Sequence, residues 1–311
     1  MNIAVVDSGV KKKHRAFTSE TTGCKVVVSK FLAFKRKDQS EIIESDCHGH
    51  GSFCAGVAAG FYIHSPKPVQ VSSIIEAQDS LCKLWNVSLK RNQELADIVK
   101  KVAGNYSESL PYSVGVAPFA HIYSFKVFHG DETNIEEPVA IALKEILEHN
   151  TRHQDTKEEK VHIVCRSLAL HYNDKLRQAM YEVLNKDVIV VTAACNNGQT
   201  SGYCNDSIWF PAQFGNTISV GSHDIMGQPS QFSSNGREVD FLALGEEIWG
   251  PSIKGMDDVI EKVFSLALVC ALETNQRLKA YHIPKHLLKK LKNVRKVTNF
   301  TKIKILSTSA A

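Results

Sequence analysis

The sequence predicts an α/β protein: a mostly parallel sheet with helices on both faces. Three observations carry this reading. Short apolar runs at residues 3–6, 122–127, 161–165, 188–194 and 217–220 are continuous rather than alternating, the pattern of strands buried on both faces of a parallel sheet. Helical patterns lie between them, and strand–helix–strand alternation argues for parallel strands joined by covering helices. A chain of 311 residues with 43% hydrophobic and 23% charged residues also suits a globular protein with a sizeable core.

Taken in order, the first run is Ile3-Ala4-Val5-Val6, ended by Asp7-Ser8-Gly9. No charged start with an apolar leader precedes it, so no signal peptide is read. Next comes Asp46-Cys47-His48-Gly49-His50-Gly51-Ser52, followed by Ala55-Gly56-Val57-Ala58-Ala59-Gly60. Those small residues predict a helix packed closely against the sheet. Residues 61–112 are long, mixed and weakly periodic, and are read as an insertion. Ile135, Val139, Ala142, Leu143 and Ile146 share one helical face, with Thr133 or Asn134 as cap and Glu136 and Glu137 in the first turn. Residues 151–160 form a polar loop, and Leu176, Met180, Val183 and Leu184 make a second helical face. Further on, Val259, Val263, Leu266 and Val269 suggest one helix, and Leu287, Leu288 and Leu291 another after Pro284. The expected organisation is a domain over 1–250 and a basic helical tail over 251–311.

The net charge of +4 hides an asymmetry: residues 251–311 hold 12 basic and 4 acidic side chains, the rest 25 and 29. Lys289, Lys290 and Lys292 are read as a solvated helix face, so no nucleic-acid partner is expected, with tail-driven nucleic-acid binding as the alternative. No apolar run reaches the roughly 18–20 residues of a membrane span. Eight cysteines in this length do not make a disulfide scaffold. Cys54, Cys165, Cys195 and Cys270 sit in apolar surroundings as small buried hydrophobes.

Three separated stretches carry chemistry. Asp7 ends a buried strand, where open α/β sheets place their ligands; a plain Asp-Ser-Gly turn is the alternative. His50, flanked by glycines, can take a proton from a hydroxyl and return it if a carboxylate holds its tautomer, and Asp7 is the candidate. Two other readings compete: His50 as a structural histidine, or His48 and His50 with Cys47 and Asp46 as a metal site, although the spacing of a recognised zinc site is absent. Asn196 leaves the run at 188–194, and its amide can donate to a developing oxyanion; a strand-to-loop turn would use the same residues.

In the order acid, imidazole, amide, these stretches resemble the subtilisin-like serine proteases, whose triad runs Asp, His, Ser along the chain. Further stretches fit the same pattern. They are Val114-Gly115-Val116-Ala117-Pro118 before the strand at 122–127, Ser167-Leu168-Ala169 after a strand, Phe210-Pro211-Ala212 with Thr217-Ile218-Ser219-Val220-Gly221, and Phe232-Ser233-Ser234-Asn235-Gly236. The likeness runs from Asn2 to about Trp249. It implies a subtilisin-like fold and an endopeptidase in which Asp7 orients His50, His50 activates a serine and Asn196 stabilises the oxyanion. It implies that Ser167, Leu168 and Ala169 pair with the main chain of a polypeptide substrate. A monomer is expected. Some members bind calcium, but no carboxylate cluster places a site, so no cofactor and no metal are assigned. Members are often secreted; this chain indicates no compartment.

The chain departs from the family pattern at three places. Phe53 replaces a second histidine, and Cys195 stands where glycine is usual. The third is the nucleophile: nothing between Gly236 and Gly255 matches the Gly-Thr-Ser-Met-Ala-x-Pro segment. Ser252, Ser265 and Ser309 lack its context, Cys54 reads as packing, and the nucleophile is left unassigned. The expectation is therefore a peptidase domain truncated at both ends or altered at its C-terminus. The alternative is a non-catalytic pseudoprotease that binds peptides along the Ser167 edge.

Overall fold

Every residue of the first apolar run is buried, and the run forms an interior strand of the main sheet. The computed structural model describes residues 1–18, 26–31, 45–63, 112–115, 117, 120–130, 134–156, 159–186, 188–198, 210–224, 226–234, 236, 238–246, 248–256 and 259–262. In chain order the elements are β1 (Asn2–Asp7), β2 (Val26–Phe31), α1 (His50–Ala59), β3 (Phe61–Ile63), β4 (Tyr112–Val114), β5 (His121–Lys126), α2 (Glu136–Arg152), β6 (Ile163–Arg166), α3 (Asp174–Leu184), β7 (Ile189–Ala193), β8 (Ile218–His223), β9 (Phe241–Leu244), β10 (Ile248–Pro251) and β11 (Val259–Lys262). The chain divides into two compact units. One is Met1–Phe61 with Ser113–Val269; the other is Tyr62–Tyr112 with Cys270–Ala311, nearly all of it outside the described residues.

The main sheet has seven strands in the order β2-β5-β1-β6-β7-β8-β9. Each pairing within it is parallel. Successive residues of β1 point to opposite faces. Ala4 and Val6 join a core with Val139, Leu143 and Ile146 of α2 and Leu176, Met180 and Val183 of α3. The other face of β1 meets α1, where Asp7 Cβ approaches Gly51. Helices on both faces explain why the run is continuous: each side chain has an apolar neighbour whichever way it points. From Gly51 to Ala59 α1 is buried throughout, as the small-residue run predicts.

The strand order also fixes where a site belongs. From β1 the chain moves outward to β2, and from β6, the neighbour of β1 on its other side, it moves outward to β7. Connections that diverge from two adjacent parallel strands leave a crevice beyond their carboxyl ends. Asp7 and Ser167 stand at that place.

Some sequence expectations need correction. α2 starts at Glu136 with Ile135 as its N-cap and no side-chain cap bond, so Asn134 does not hold the cap position; Thr133 lies outside the described residues. Ile135 is buried in the core there, and the acidic first turn faces the helix dipole in place of a cap. The helix expected from Val259 begins as a strand: Val259–Lys262 pairs antiparallel with β10, setting Val259 against Pro251. Val259 and Ile260 suit a strand, and the segment follows its hydrogen-bonding partner. The remainder of both tail helices, including Leu266 and Leu287, lies outside the described residues, as does almost all of the insertion. β2 and β9, the two edge strands, are not among the strands that the sequence indicates. The residues of β9 are half-buried or exposed, which leaves no continuous apolar signal.

Leu143 is fully buried between α2 and the sheet. Leu143→Ala is expected to cost about 2–5 kcal/mol of stability, read as a lower urea midpoint; an unchanged midpoint would contradict this packing.

Candidate active site

Asp7 is the last residue of β1, and its backbone carbonyl accepts from the Val127 N–H, which continues the ladder to β5. The carboxylate is 1% exposed. Its Oδ1 accepts from the Ser8 N–H at 2.8 Å and lies 2.7 Å from His50 Nδ1. Its Oδ2 is buried without a hydrogen-bond partner among the described residues. His50 opens α1 with its side chain 15% exposed, so one edge of the ring reaches solvent.

Local sequence makes this meeting possible. Gly49 sits at φ +91 as the residue before the helix, a conformation that a side chain disfavours. At Gly51 a Cβ would collide with the Gly9 carbonyl oxygen and lie 3.1 Å from Asp7 Cβ. Glycine there lets the helix settle onto the end of β1 and brings the imidazole to the carboxylate. Hydrogen bonds to Asp46 and Ser8 hold the same turn: the Ser52 N–H donates to Asp46 Oδ2 and the Gly51 N–H to Ser8 Oγ. Sequence reasoning gave neither residue this part. The signal that could have found them is Asp46 preceding a helix start whose own cap, Gly49, has no side chain.

Burial by itself pushes the His50 imidazole down, but the Asp7 carboxylate and the Cys54 sulfur more than offset it and hold the ring well above 6.5. Burial also pushes the Cys54 thiol up from 9.0, only partly opposed by His50. The thiol therefore stays protonated where an imidazole titrates, and Asp7 carries the effect on His50. Cys54 Sγ lies 3.7 Å from Nδ1 and 3.9 Å from Nε2, so it lines up with the lone pair of neither nitrogen. A buried, protonated thiol in that place packs against the imidazole and is not activated by it. Asp7, His50 and Cys54 are the one group of three metal-binding side-chain types brought within 4.8 Å among the described residues. His50 Nδ1 and Asp7 Oδ1 are bonded to each other, and no ligand set is assigned. His48 instead packs edge-on against Phe128 at 5.3 Å between ring centroids, and Cys47 turns to His129. The alternative metal site of His48, His50, Cys47 and Asp46 is thus not assembled here.

Ser167, Leu168 and Ala169 follow β6 on the same rim, with Ala169 exposed and the other two half-buried. Leu170 then bridges antiparallel to Phe210. Arg166, just before them, is fully buried; its Nη2 donates to the Leu168 carbonyl, while Nε and Nη1 find no partner among the described residues. Burial pushes its guanidinium down to about 10, against the attraction of Cys195, Asp7 and Glu136, so it remains charged at neutral pH.

Asn196 lies exposed beyond β7, two strands from Asp7. Cys195, where glycine was expected, is buried and holds φ +87. The turn is thus kept by a residue that suffers for it, at about 1–3 kcal/mol. Its carbonyl accepts from the Ser234 N–H and the Asn197 N–H donates to Ser234 Oγ, which hold the strained turn in place. Of the serines considered from sequence, Ser252 is 8% exposed and its Oγ accepts from the Lys254 N–H. Ser265 and Ser309 lie outside the described residues.

A parallel α/β sheet whose carboxyl rim carries an acid bonded to an imidazole is the arrangement that the resemblance in sequence implies for Asp7 and His50. The model of the subtilase family matches residues 1–275, and the chain belongs to that family. The major intracellular serine protease of Bacillus subtilis (strain 168) is 33% identical over 92 residues, 29% of this chain and 28% of that protein. Subtilisin BL of Lederbergia lenta is 27% identical over 136 residues, 43% of this chain and 45% of that protein. The chain thus spans less than half the length of these curated relatives. The crystal structure of a cold adapted subtilisin-like serine proteinase superposes with a TM-score of 0.55 at 16% identity, covering 89% of this chain and 74% of that one. That likeness establishes the fold.

The stability supplied by the Asp7–His50 pair is complete below about 6.5, the value of an unfolded histidine. It is lost as pH rises through the raised native value. Asp7→Asn should remove this loss and lower the His50 midpoint, because it takes away the carboxylate that opposes burial; ring-proton NMR titration and unfolding midpoints against pH read both. Gly51→Ala should cost about 1–3 kcal/mol by overpacking and lower the His50 midpoint in the protein that stays folded. A midpoint unmoved in both variants would show that Asp7 is not what holds it up.

Proposed function

We propose that this chain is a serine-type endopeptidase acting on polypeptides. The observation that carries the reading is the 2.7 Å bond between Asp7 and His50 at the crevice between β1 and β6. Asp7 fixes the imidazole with Nδ1–H toward the carboxylate, which leaves Nε2 to take a proton from the nucleophile and deliver it to the leaving amine. Asn196 donates its side-chain amide to the oxyanion, and Ser167, Leu168 and Ala169 hydrogen-bond the substrate backbone. The base works only when neutral, so the rate rises with pH through a midpoint above 6.5. Family membership supports the reaction class, and the fold supports the placement of the edge.

The sequence favours a second reading. It has no Gly-Thr-Ser-Met-Ala-x-Pro segment between Gly236 and Gly255. Removing the nucleophile from such an enzyme costs about a millionfold in turnover, or roughly 8 kcal/mol of barrier. On this reading the chain binds peptides along the 167–169 edge without cutting them.

A panel of peptides is expected to show turnover that disappears in His50→Ala and falls roughly 100- to 1000-fold in Asn196→Ala. Turnover that survives in His50→Ala would overturn the endopeptidase reading. A serine-directed fluorophosphonate separates the two readings. Stoichiometric labelling that depends on His50 supports the enzyme; saturable peptide binding with no labelling supports the peptide-binding protein.

A further inference from the structure

We propose that Asp46 is the positioning residue of this site: through Ser8 it locks the end of β1 to the start of α1 and so sets the imidazole on Asp7. The role rests on reading His50 as the general base. Asp46 is buried and its carboxylate receives four hydrogen bonds. Oδ1 accepts from Ser8 Oγ at 2.9 Å, from the His48 N–H at 3.0 Å and from the Gly49 N–H at 2.8 Å, while Oδ2 accepts from the Ser52 N–H at 2.9 Å.

The chain of contacts has a direction. A carboxylate only accepts, so the Ser8 hydroxyl must donate to Asp46, and its lone pairs are left for a donor. That donor is the Gly51 N–H at 2.9 Å. Ser8 follows the acid and Gly51 follows the base. The neighbours of the catalytic pair are thus tied to each other by one hydroxyl whose orientation Asp46 dictates. Ser8 in turn donates its own N–H to Asp7 Oδ1 at 2.8 Å.

The same carboxylate replaces the missing cap. Gly49 precedes the helix and has no side chain to satisfy the first N–H groups. Asp46 takes the N–H groups of Gly49 and Ser52, and Ser8 takes that of Gly51. A negative group at that end also meets the positive pole of the helix. The glycine needed for the turn into His50 is thereby compatible with a well-held helix start. Tolerances in such sites are small: about 0.5 Å of play degrades a constellation, and 1 Å can cost roughly 100-fold in rate.

The test compares the full-length chain with Asp46→Asn and Ser8→Ala. In Asp46→Asn the amide oxygen can keep the Oδ1 bonds, but its NH2 group then faces the Ser52 N–H, donor against donor. In both variants the far-downfield proton signal of His50 Nδ1–H is expected to move upfield and exchange with water about tenfold faster, as when a bond opens more often. The double variant adds little to either single one, because both cut the same chain of contacts. In protein that hydrolyses peptide, kcat falls at least tenfold with KM unchanged. A folded Asp46→Asn with a lower thermal midpoint and an unmoved Nδ1–H signal would make Asp46 a helix cap alone and overturn the inference. If Asp46→Asn does not fold, Ser8→Ala decides on the same signal with Asp46 in place. The NMR readout needs no turnover: a chain that cuts no peptide yet shows the shift loses the endopeptidase reading and keeps the positioning role.

Discussion

The site depends on one hydrogen bond between residues 43 positions apart, Asp7 Oδ1 with His50 Nδ1 at 2.7 Å. That bond requires an interior strand to end where a helix begins. β1 supplies a rigid end because β5 and β6 pair with it on either side. α1 supplies the close approach because its sheet-facing side carries glycine and alanine, with Gly51 against the Gly9 carbonyl. The apolar strand and the small-residue helix are therefore two halves of one requirement. A bulkier helix would stand off the sheet and take the imidazole with it.

Around this bond the rim collects features that cost stability elsewhere in proteins. Among the described residues, Asp7 buries a carboxylate oxygen without a partner and Arg166 a guanidinium with two such nitrogens, and Cys195 holds a glycine-like φ. Each is unfavourable by itself. They persist because the surrounding structure overdetermines them: Ser234 grips the Cys195 turn, and Leu168 takes one arm of the guanidinium. Unfavourable local choices gathered at the carboxyl edge of a well-packed sheet are what a functional site looks like on energetic grounds. The same sheet is unremarkable below the rim, where Leu143, Leu176 and Met180 fill an ordinary core.

The interior of the fold was legible because burial on both faces writes itself into composition. The five apolar runs became β1, β5, β6, β7 and β8, and the amphipathic patterns around Leu143 and Met180 became α2 and α3. Edges were harder to read. β9 has no buried residue and leaves a weak pattern, and β11 took its structure from β10 rather than from its own periodicity. Among site residues, Asp7 and His50 stood out because glycine and apolar runs frame them. Asp46 did not, since an acid in a loop acquires meaning only from the donors that surround it.

Sequence by itself thus determined the class of fold, the strands of its interior, and the residue types at the ends of those strands, because apolar periodicity and turn chemistry are local properties. The tertiary structure decided which of those ends meet. Strand order put β6 beside β1 and opened the crevice between them. It set His50 on Asp7, kept Cys54 out of line with the imidazole lone pairs, and gathered the backbone donors of the α1 turn onto Asp46. Distances of a few ångströms between residues far apart in the chain depend on how whole elements pack, and no short stretch of sequence contains that information.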